Sequence, residues 1–496
     1  MDYYTLVLGF TFVLSYLYVI AKICGRGSKK LPPGPSPWPI IGNLHLLGEN
    51  PHVSLANLAK IYGPIMSLKL GQITTVVISS STIAKKVLKN QDQAFSTSRF
   101  VPDATHAHNH YQFSVVWLPV CPQWRTLRRI LNTNLFSSNR LDANQHLRSQ
   151  KVKELIAYCD KCSQEGKALD VGQVAFKTSL NLLSNTLFSK NLADPFSDSK
   201  VELKEVIWKI MVEIGKPNLV DYFPILEKID LQRVRHRTII YVGKLFKLFE
   251  DLINERLEEK RRGSNKKSDV LETLLNICEE NSEEIDHNHI KSMFLDLFGA
   301  ATDTTTSTVE WAMAEILKQP EIMKKVQAEL EEIIGKRKLI EEVDVSRLSY
   351  LQCIIKETLR MHPPAPLLIP RRVDQDIELC DYIIPSGSQV LINVWAIGRD
   401  STLWENPLVF KPERFWNSSF DMRGQDFELI PFGAGRRICP GYPLALRMVP
   451  VMLGSLLNSF NWTLEAGFAP KDLDMEEKFG LTLAKAHPLR AIPSPL

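Results

Sequence analysis

The chain has 496 residues, with 60 lysines and arginines against 56 acidic side chains, a formal charge of +4, 44% apolar residues and 9% aromatic ones. That length would allow about three domains of roughly 150 residues, but the only long polar runs, SQEGKALD (163–170) and EKRRGSNKKSD (259–269), are short enough to be exposed loops, and no repeat or low-complexity tract divides the rest. A near-neutral balance excludes the electrostatic footprint of a nucleic-acid binder, and eight cysteines scattered along a long chain exclude a small disulfide scaffold.

The first predicted element is a membrane anchor over residues 3–24. TLVLGFTFVLSYLYVIA, Thr5 to Ala21, carries no charge and with Ile23 and Cys24 approaches the ~20 residues that a bilayer-spanning helix needs. A cleaved signal peptide competes with this reading, but it would place basic residues before the apolar run. Here Asp2 precedes it and Lys22, Arg26, Lys29 and Lys30 follow, which predicts an uncleaved anchor with the remaining chain on the cytosolic side. Residues 25–39 read as a basic and proline-rich hinge; the five prolines of LPPGPSPWP (31–39) prevent a continuing helix and favour a semi-rigid spacer.

The body, residues 40–496, is predicted to be mainly α with a small β-sheet region. PIMSLKLGQITTVVISS has the alternation of a hairpin turning at Gly71, and DIELCDYIIPSGSQVLINVW reads as another pair of strands. Between them, THAHNHY puts His106, His108 and His110 at alternate positions; on a strand they would share a face and could bind a metal, though no fourth ligand stands beside them. Helical periodicity runs through SSNRLDANQHLRSQKVKELIAYC, VELKEVIWKIMVEIG, VGKLFKLFEDLINERLEEKRR, HIKSMFLDLFGAATDTTTSTVEWAMAEILKQ and PEIMKKVQAELEEIIG. Cys159 and Cys162 form a CxxC inside the first of these, with no second pair nearby, so a metal or redox role has little support. The sequons at Asn417 and Asn461 would be idle on the cytosolic side of a membrane.

IPFGAGRRICPGYPLALR, residues 430–447, concentrates the chemistry. Cys439 precedes an apolar helical run, and a helix start presents backbone N–H groups that stabilise negative charge on sulfur. Gly433, Gly435 and Gly441 remove side chains where a flat object could press on the backbone, and Arg436 and Arg437 add positive charge. A thiolate, room for a ring and cations for its carboxylates are the needs of an iron porphyrin. A catalytic nucleophile, which would need a histidine base, and a buried inert cysteine are the other readings of the same residue.

Phe432, Gly435, Arg437, Cys439 and Gly441 fill the haem-thiolate signature F-x-x-G-x-R-x-C-x-G, and on it the chain resembles the cytochrome P450 monooxygenases. The resemblance extends from LPPGP to the C-terminal LTLAKAHPLRAIP. It implies the P450 fold, with Cys439 as axial ligand of the iron of haem b. KETLR and FKPERF supply Glu357, Arg360 and Arg414, which in the family form a buried structural network behind the haem. FGAATDTTTS matches (A/G)-G-x-(D/E)-T-(T/S), giving Asp303 and Thr304 the role of a catalytic acid–alcohol pair that delivers protons to the oxygen side, with Ala301 where the pattern most often has glycine. WRTLRR implies Trp124 and Arg128 for one propionate; Arg371 and Arg437 match further propionate positions, with Arg372 the open alternative to Arg371. Arg125, Arg129 and Arg447 either face an acidic redox partner or are merely solvated. The candidate substrate pocket comprises Phe298, Ala300, Ala301, Leu367, Leu368 and Leu481, nearly all apolar and suited to a small lipophilic molecule.

Within the family, NLHLLGENPHVSLANLAK, GKPNLVDYFPILEKID and LALRMVPVMLGSLLNSFNW are similar to plant microsomal members of family 76, in particular its geraniol-hydroxylating branch. That resemblance implies a terpenoid hydroxylase acting on the C8 allylic methyl of geraniol, using O2 and NADPH-derived electrons through an NADPH-cytochrome P450 reductase, single-pass in the endoplasmic reticulum membrane with a cytosolic catalytic domain. A haem-thiolate isomerase or dehydratase and a non-catalytic haem sensor are the rival classes; Thr304 argues against the first, and Asp303 with the membrane anchor against the second.

Overall fold

The computed structural model describes residues 4, 7, 9–13, 15, 16, 31–197, 202–263, 269–281, 283–465 and 468–496. Most of the anchor expected over 3–24, and residues 25–30 of the hinge, lie outside them; among the described residues no helix is long and apolar enough to cross a membrane. The proline-rich stretch from Leu31 is non-helical as its composition predicts, but it is tied to the body. Ser67 donates its hydroxyl to the Pro32 carbonyl at 2.6 Å and its N–H to that of Pro33 at 2.8 Å. Gly34 is obligatory at this crossing, since a Cβ there would fall 1.8 Å from the Ser67 carbonyl oxygen.

The main sheet uses strands from both ends of the chain. β1 (Ile65–Leu70) and β2 (Ile73–Ile78) form the hairpin read from sequence, turning at Gly71 with φ +55°. β3 (Ser98–Arg99), β4 (Arg371–Arg372) and β5 (Gln389–Ile392) complete the order β1-β2-β5-β4-β3, with β5 parallel to β2. The segment expected to be one strand pair therefore divides. Ile377–Leu379 and Tyr382–Ile384 make a hairpin of their own, turning on Cys380 and Asp381 at φ +51° and +64°, while β5 leaves it to join the main sheet. Alternation marks each of these strands, but only long-range pairing tells which partner each takes.

Seven helices position the site: α1 (Pro122–Asn134), α2 (Val171–Phe188), α3 (Glu202–Gly215), α4 (Val234–Arg261), α5 (His287–Lys318), α6 (Ser349–Met361) and α7 (Tyr442–Ser459). α5 spans roughly 48 Å at 1.5 Å per residue and is started by a reciprocal capping box between Asp286 and His289. α2 packs beside it, buried almost all round, and its C-terminal Phe188 meets Phe294 of α5 edge-on with ring centroids 4.9 Å apart. No disulfide joins the described cysteines, and Cys159 and Cys162 are buried among apolar neighbours.

Behind the cysteine loop lies a buried ionic knot. Arg360 binds Glu357 through two bonds of 2.7 and 2.8 Å, and Arg414 reaches the same carboxylate at 2.9 Å. The remaining donors satisfy main-chain carbonyls: Arg360 takes Gly398 and, at 2.8 Å, Pro407, while Arg414 takes Glu405 at 2.9 Å. The Lys411 N–H closes the carboxylate shell at 2.7 Å. Three side chains thus fix the irregular chain between residues 398 and 414, which carries no regular ladder of its own.

Glu321 and Lys324 have the same i, i+3 spacing as Glu357 and Arg360 but lie exposed, 3.4 Å apart. Glu357→Ala leaves two guanidiniums without their carboxylate and should lower stability by about 3–5 kcal/mol. Glu321→Ala should leave the denaturation midpoint where it is. Urea unfolding of the two variants in parallel checks the contrast.

Candidate active site

Cys439 sits at the end of a loop whose shape is set by backbone bonds. Gly433 donates to the Ile430 carbonyl, Ile438 to that of Gly435, and Cys439 to that of Phe432, each at 3.0 Å. Gly433 and Gly435 both have left-handed φ, +68° and +73°. Sequence reading gave these glycines the task of clearing a flat ligand, and Gly435 has a different one: a Cβ there would meet the Leu88 carbonyl oxygen at 2.1 Å. Its freedom lets the loop press on the protein's own chain. The sulfur accepts from the N–H groups of Gly441 and Tyr442 at the start of α7. Burial nevertheless pushes the thiol up, against those N–H groups and the nearby Arg128. A thiolate at this depth calls for a cation bound to the sulfur itself.

Four guanidiniums surround the same cavity: Arg99, Arg128, Arg371 and Arg437. Arg371 donates to Ser96 Oγ at 2.6 Å, Arg437 to the Ser96 and Leu118 carbonyls at 2.8 and 2.7 Å, Arg99 to the Ile369 carbonyl at 2.7 Å, and Arg128 to the Ile438 carbonyl. Among the described residues none of the four has a carboxylate in ion-pair contact; the nearby Asp92 pairs with Arg436 at 2.6 Å. Burial, reinforced by the other guanidiniums, lowers Arg437 to about 10 and takes Arg99 well below its ordinary value, and burial alone lowers Arg371 to about 10. Among the described residues Arg99 Nε has no hydrogen-bond partner. Arg99 and Arg371 also face each other in the β3–β4 register, where like charges repel.

Such a set is electrostatically incomplete without an anion. A buried sulfur on one side of a slot and four unpaired cations along its edge fit haem, with Cys439 for the iron and the guanidiniums for the two propionates. Strand alternation separates the two candidates: Arg371 is buried and lines the cavity, and Arg372 is exposed. Arg99 went unread in STSRF, which carries no periodic or motif signal; only the pairing of β3 with β4 brings it here. Trp124, expected from the motif to offer its indole N–H to a propionate, lines the same cavity. That N–H donates to the Val115 carbonyl at 3.0 Å, and the ring instead offers its face to Arg437, 5.0 Å from the centroid.

Above the sulfur the cavity, about 830 Å³ in volume, is closed by α5. Ala300 and Thr304 line it, as do Leu368 and Leu481. The Thr304 hydroxyl donates to the Ala300 carbonyl at 2.7 Å, a bond to the preceding turn that holds the side chain in one rotamer. Asp303 does not line the cavity: it is about 100° round the helix from Thr304. Its carboxyl is bonded to Thr482, and its Oδ2 is buried without a partner. Burial pushes it up to about 6, opposed by Thr482 and by the charge of Lys204. The acid and the alcohol are neighbours in sequence but lie on different faces of the helix, and Thr482, the partner of Asp303, lines the same cavity as Thr304.

Three expected pocket residues lie elsewhere. Phe298 packs in an aromatic cluster with Phe188 and Phe249, ring centroids 6.0 and 5.3 Å away, because its position on α5 faces α2 and α4. Ala301 packs against the apolar core on that side of the helix. Leu367 belongs to the small core between β1, β2 and β5. The three histidines do not share a face either: His108 and Asn109, at φ +52° and +56°, turn the chain so that His106 lies 3.6 Å from Asp103, His108 meets the Ile239 carbonyl at 3.0 Å, and His110 points inward. Of the basic residues assigned to a partner face, Arg129 pairs with Glu284, and Arg447 pairs with Asp142 and Glu342.

The family model for cytochrome P450 matches residues 32–488. Geraniol 8-hydroxylase of Catharanthus roseus is 66% identical over 496 residues, covering 100% of both chains. The enzyme of the same name from Swertia mussotii is 64% identical over 100% of this chain and 99% of its own, and geranylhydroquinone 3''-hydroxylase of Arnebia euchroma is 54% identical over the same shares.

Two substitutions test the site. Arg371→Gln removes one of the buried cations and should reduce haem retained after gel filtration several-fold, whereas Arg372→Gln, on the outward pleat, should leave it unchanged. Asp303→Asn reports on the buried carboxyl. The folded chain holds that proton to about 6 rather than the ordinary 3.8, so wild-type stability falls relative to the variant as pH rises through about 6, and the difference vanishes below about 4. Urea midpoints of both proteins across that range should show the divergence; parallel curves would contradict it.

Proposed function

The chain belongs to the cytochrome P450 family, and from that premise we propose that it is a haem-thiolate monooxygenase hydroxylating geraniol at its C8 allylic methyl. The observation that carries the reading is full-length identity of 66% to a geraniol 8-hydroxylase, in a chain whose apolar cavity lies between Cys439 and Thr304. The third relative, by its name, acts on a molecule that also carries a geranyl chain. Walls of this kind favour small lipophiles but discriminate weakly, each methylene being worth ~1–3 kcal/mol. Other terpene alcohols are therefore expected to turn over more slowly.

The reaction consumes one alkane C–H bond, O2, NADPH and a proton, and gives the alcohol, water and NADP+. Haem held by Cys439 supplies the activation of O2. Gly441 and Tyr442 N–H groups moderate the charge on the sulfur. Thr304 presents its hydroxyl to the cavity and can hold a water in hydrogen-bond reach. Asp303, which titrates near 6, can exchange protons at neutral pH and pass them round the helix by way of water to that hydroxyl. The apolar lining keeps bulk solvent from the reacting carbon.

The same proposal places the protein on the endoplasmic reticulum membrane by residues 3–24, with residues 25–39 as hinge and 40–496 as catalytic domain, fed by an NADPH-cytochrome P450 reductase. Supporting this, Gln72 in the hairpin turn donates to the Tyr222 carbonyl at 2.8 Å, which brings the chain around the exposed Ile225 close to the hinge-bearing sheet edge. Trp38 and Ile40 are exposed on that edge as well.

Microsomes containing the protein and a reductase, incubated with geraniol and NADPH, should yield the 8-hydroxylated product. Oxidation that persists without NADPH, or in Cys439→Ala, would sink the monooxygenase reading. NADPH-dependent turnover of other lipophiles but not of geraniol would sink the substrate alone.

A further inference from the structure

Part of the cavity wall is the tip of a C-terminal hairpin too short to hold itself. Its strands, Glu477–Lys478 and Ala484–Lys485, share two residue pairs, and a two-stranded ribbon of that size has little stability of its own. The tip between them brings Leu481 and Thr482 to the cavity. Main-chain atoms of the tip meet the body: Leu481 donates to the Met211 carbonyl of α3 at 3.1 Å, Leu483 donates to that of Pro364 at 2.8 Å, and the Ser307 hydroxyl of α5 donates to the Leu483 carbonyl at 2.6 Å. α3 approaches so closely that a Cβ at Gly215 would fall 2.1 Å from the Leu481 nitrogen.

At the base of the hairpin, Glu477 gathers groups from separate elements. His52, buried in the helix Pro51–Tyr62, bonds Oε2 through Nε2 at 2.8 Å, and the Trp395 indole N–H donates to Oε1 at 3.2 Å. The Arg399 guanidinium lies 3.6 Å from Oε1. Burial opposes charge on this carboxyl, yet the imidazoles of His362 and His52 and the Arg399 charge carry it well below its ordinary range. His52 also stacks on Phe479 of the tip, ring centroids 5.4 Å apart. His362, with Nδ1 3.4 Å from Oε1 of Glu477, bonds Glu315 of α5 through Nε2 at 2.8 Å and lies face to face with Trp311, centroids 4.0 Å apart. Lys485, opposite Glu477 in the hairpin, puts its ammonium 4.7 Å from the same Trp311 ring. The hairpin base is thus clamped to the helix that carries Thr304.

We propose that Glu477 is a positioning residue for the reaction: by anchoring the hairpin base it sets how far Leu481 reaches into the cavity above Cys439, and so which carbon of the substrate is presented. The proposal rests on the reading above, that the chain is a monooxygenase acting on an acyclic terpene alcohol. Geraniol carries several allylic C–H positions, including the CH2 beside its oxygen, so reactivity alone does not select a terminal methyl and the cavity wall must. Leu481 is held by no regular element, and a shift of ~1 Å at such a wall is enough to change which C–H lies within reach. Without its carboxylate, the site leaves His52, Trp395 and Arg399 facing an apolar side chain in a buried space, which such donors relieve by drawing in water or moving apart. The base then loosens, and the tip moves with it.

Full-length protein loaded with haem carries the test, as wild type, Glu477→Ala, Glu477→Gln and Glu476→Gln, the last changing the exposed neighbour. Amide hydrogen exchange in Glu477→Ala should speed up roughly tenfold at Leu481 and Leu483 and stay as it was in α1. Under turnover with reductase and NADPH, the ratio of the C8 alcohol to other geraniol products should fall at least about tenfold, with haem content unchanged. Glu477→Gln keeps an acceptor for Trp395 and should recover part of both readouts, and Glu476→Gln should match wild type. Faster exchange at an unchanged product ratio would mark a merely structural carboxylate and overturn the proposal, as would unchanged exchange at the tip. Should Glu477→Ala fail to retain haem, Trp395→Phe replaces it, removing one donor to the carboxylate while keeping a ring beneath Arg399. Smaller shifts of both readouts in the same direction are then expected, and their absence overturns the proposal. A wild type that oxidises linalool but not geraniol refutes the substrate reading alone, and the product ratio from linalool then decides the role of Glu477.

Discussion

Four guanidiniums around one cavity, with no carboxylate among the described residues paired to any of them, form the constraint on which the remaining architecture turns. Each is bound to main-chain carbonyls or a serine hydroxyl, which positions the charge without neutralising it. Uncompensated, these charges repel each other across distances where the surrounding dielectric screens poorly. A dianionic ligand converts the same arrangement from a liability into a binding site. Arg99 and Arg371 come from adjacent strands, Arg128 from α1 and Arg437 from the cysteine loop. The ligand is thus also the tie between elements far apart in sequence, and loss of haem should loosen all of them together.

Opposite in character is the knot of Glu357, Arg360 and Arg414, where every charge has its partner and the leftover donors reach carbonyls. It needs nothing from outside and stays buried and closed. The contrast separates structure from function: a satisfied ionic cluster holds the chain around residues 398–414, and an unsatisfied one marks where a ligand goes.

α5 distributes its chemistry by angle. Thr304 faces the cavity with its hydroxyl held by the turn below, while Asp303 lies against Thr482 in a separate environment that lifts its pKa. Phe298, one further turn back, is turned into the aromatic core and anchors the helix. The buried acid, the cavity-facing hydroxyl and the aromatic anchor are on different faces of one rod, so a single-residue change in register would exchange their surroundings.

Motif spacing along the chain singled out the cysteine loop, the Glu357–Arg360 pair and the Asp303–Thr304 pair, because each is written in a short stretch; that Arg414 joins Glu357 from 57 residues away is a matter of the fold. Hairpin alternation likewise placed the turn at Gly71. Arg99 could not be seen, for a lone arginine in STSRF becomes a cavity residue only when β3 pairs with β4. The choice between Arg371 and Arg372 needed the pleat, the true demand on Gly435 needed Leu88 from a distant helical turn, and the misplacement of Phe298, Ala301 and Leu367 came from not knowing which face of each element met a neighbour. His106, His108 and His110 looked alike in sequence and were separated by two left-handed residues that propensity does not announce. Sequence by itself determined the family to which the chain belongs, since the motifs that mark it are contiguous runs of residues; tertiary structure alone decided which side chains face the cavity, since that depends on pairings hundreds of residues apart.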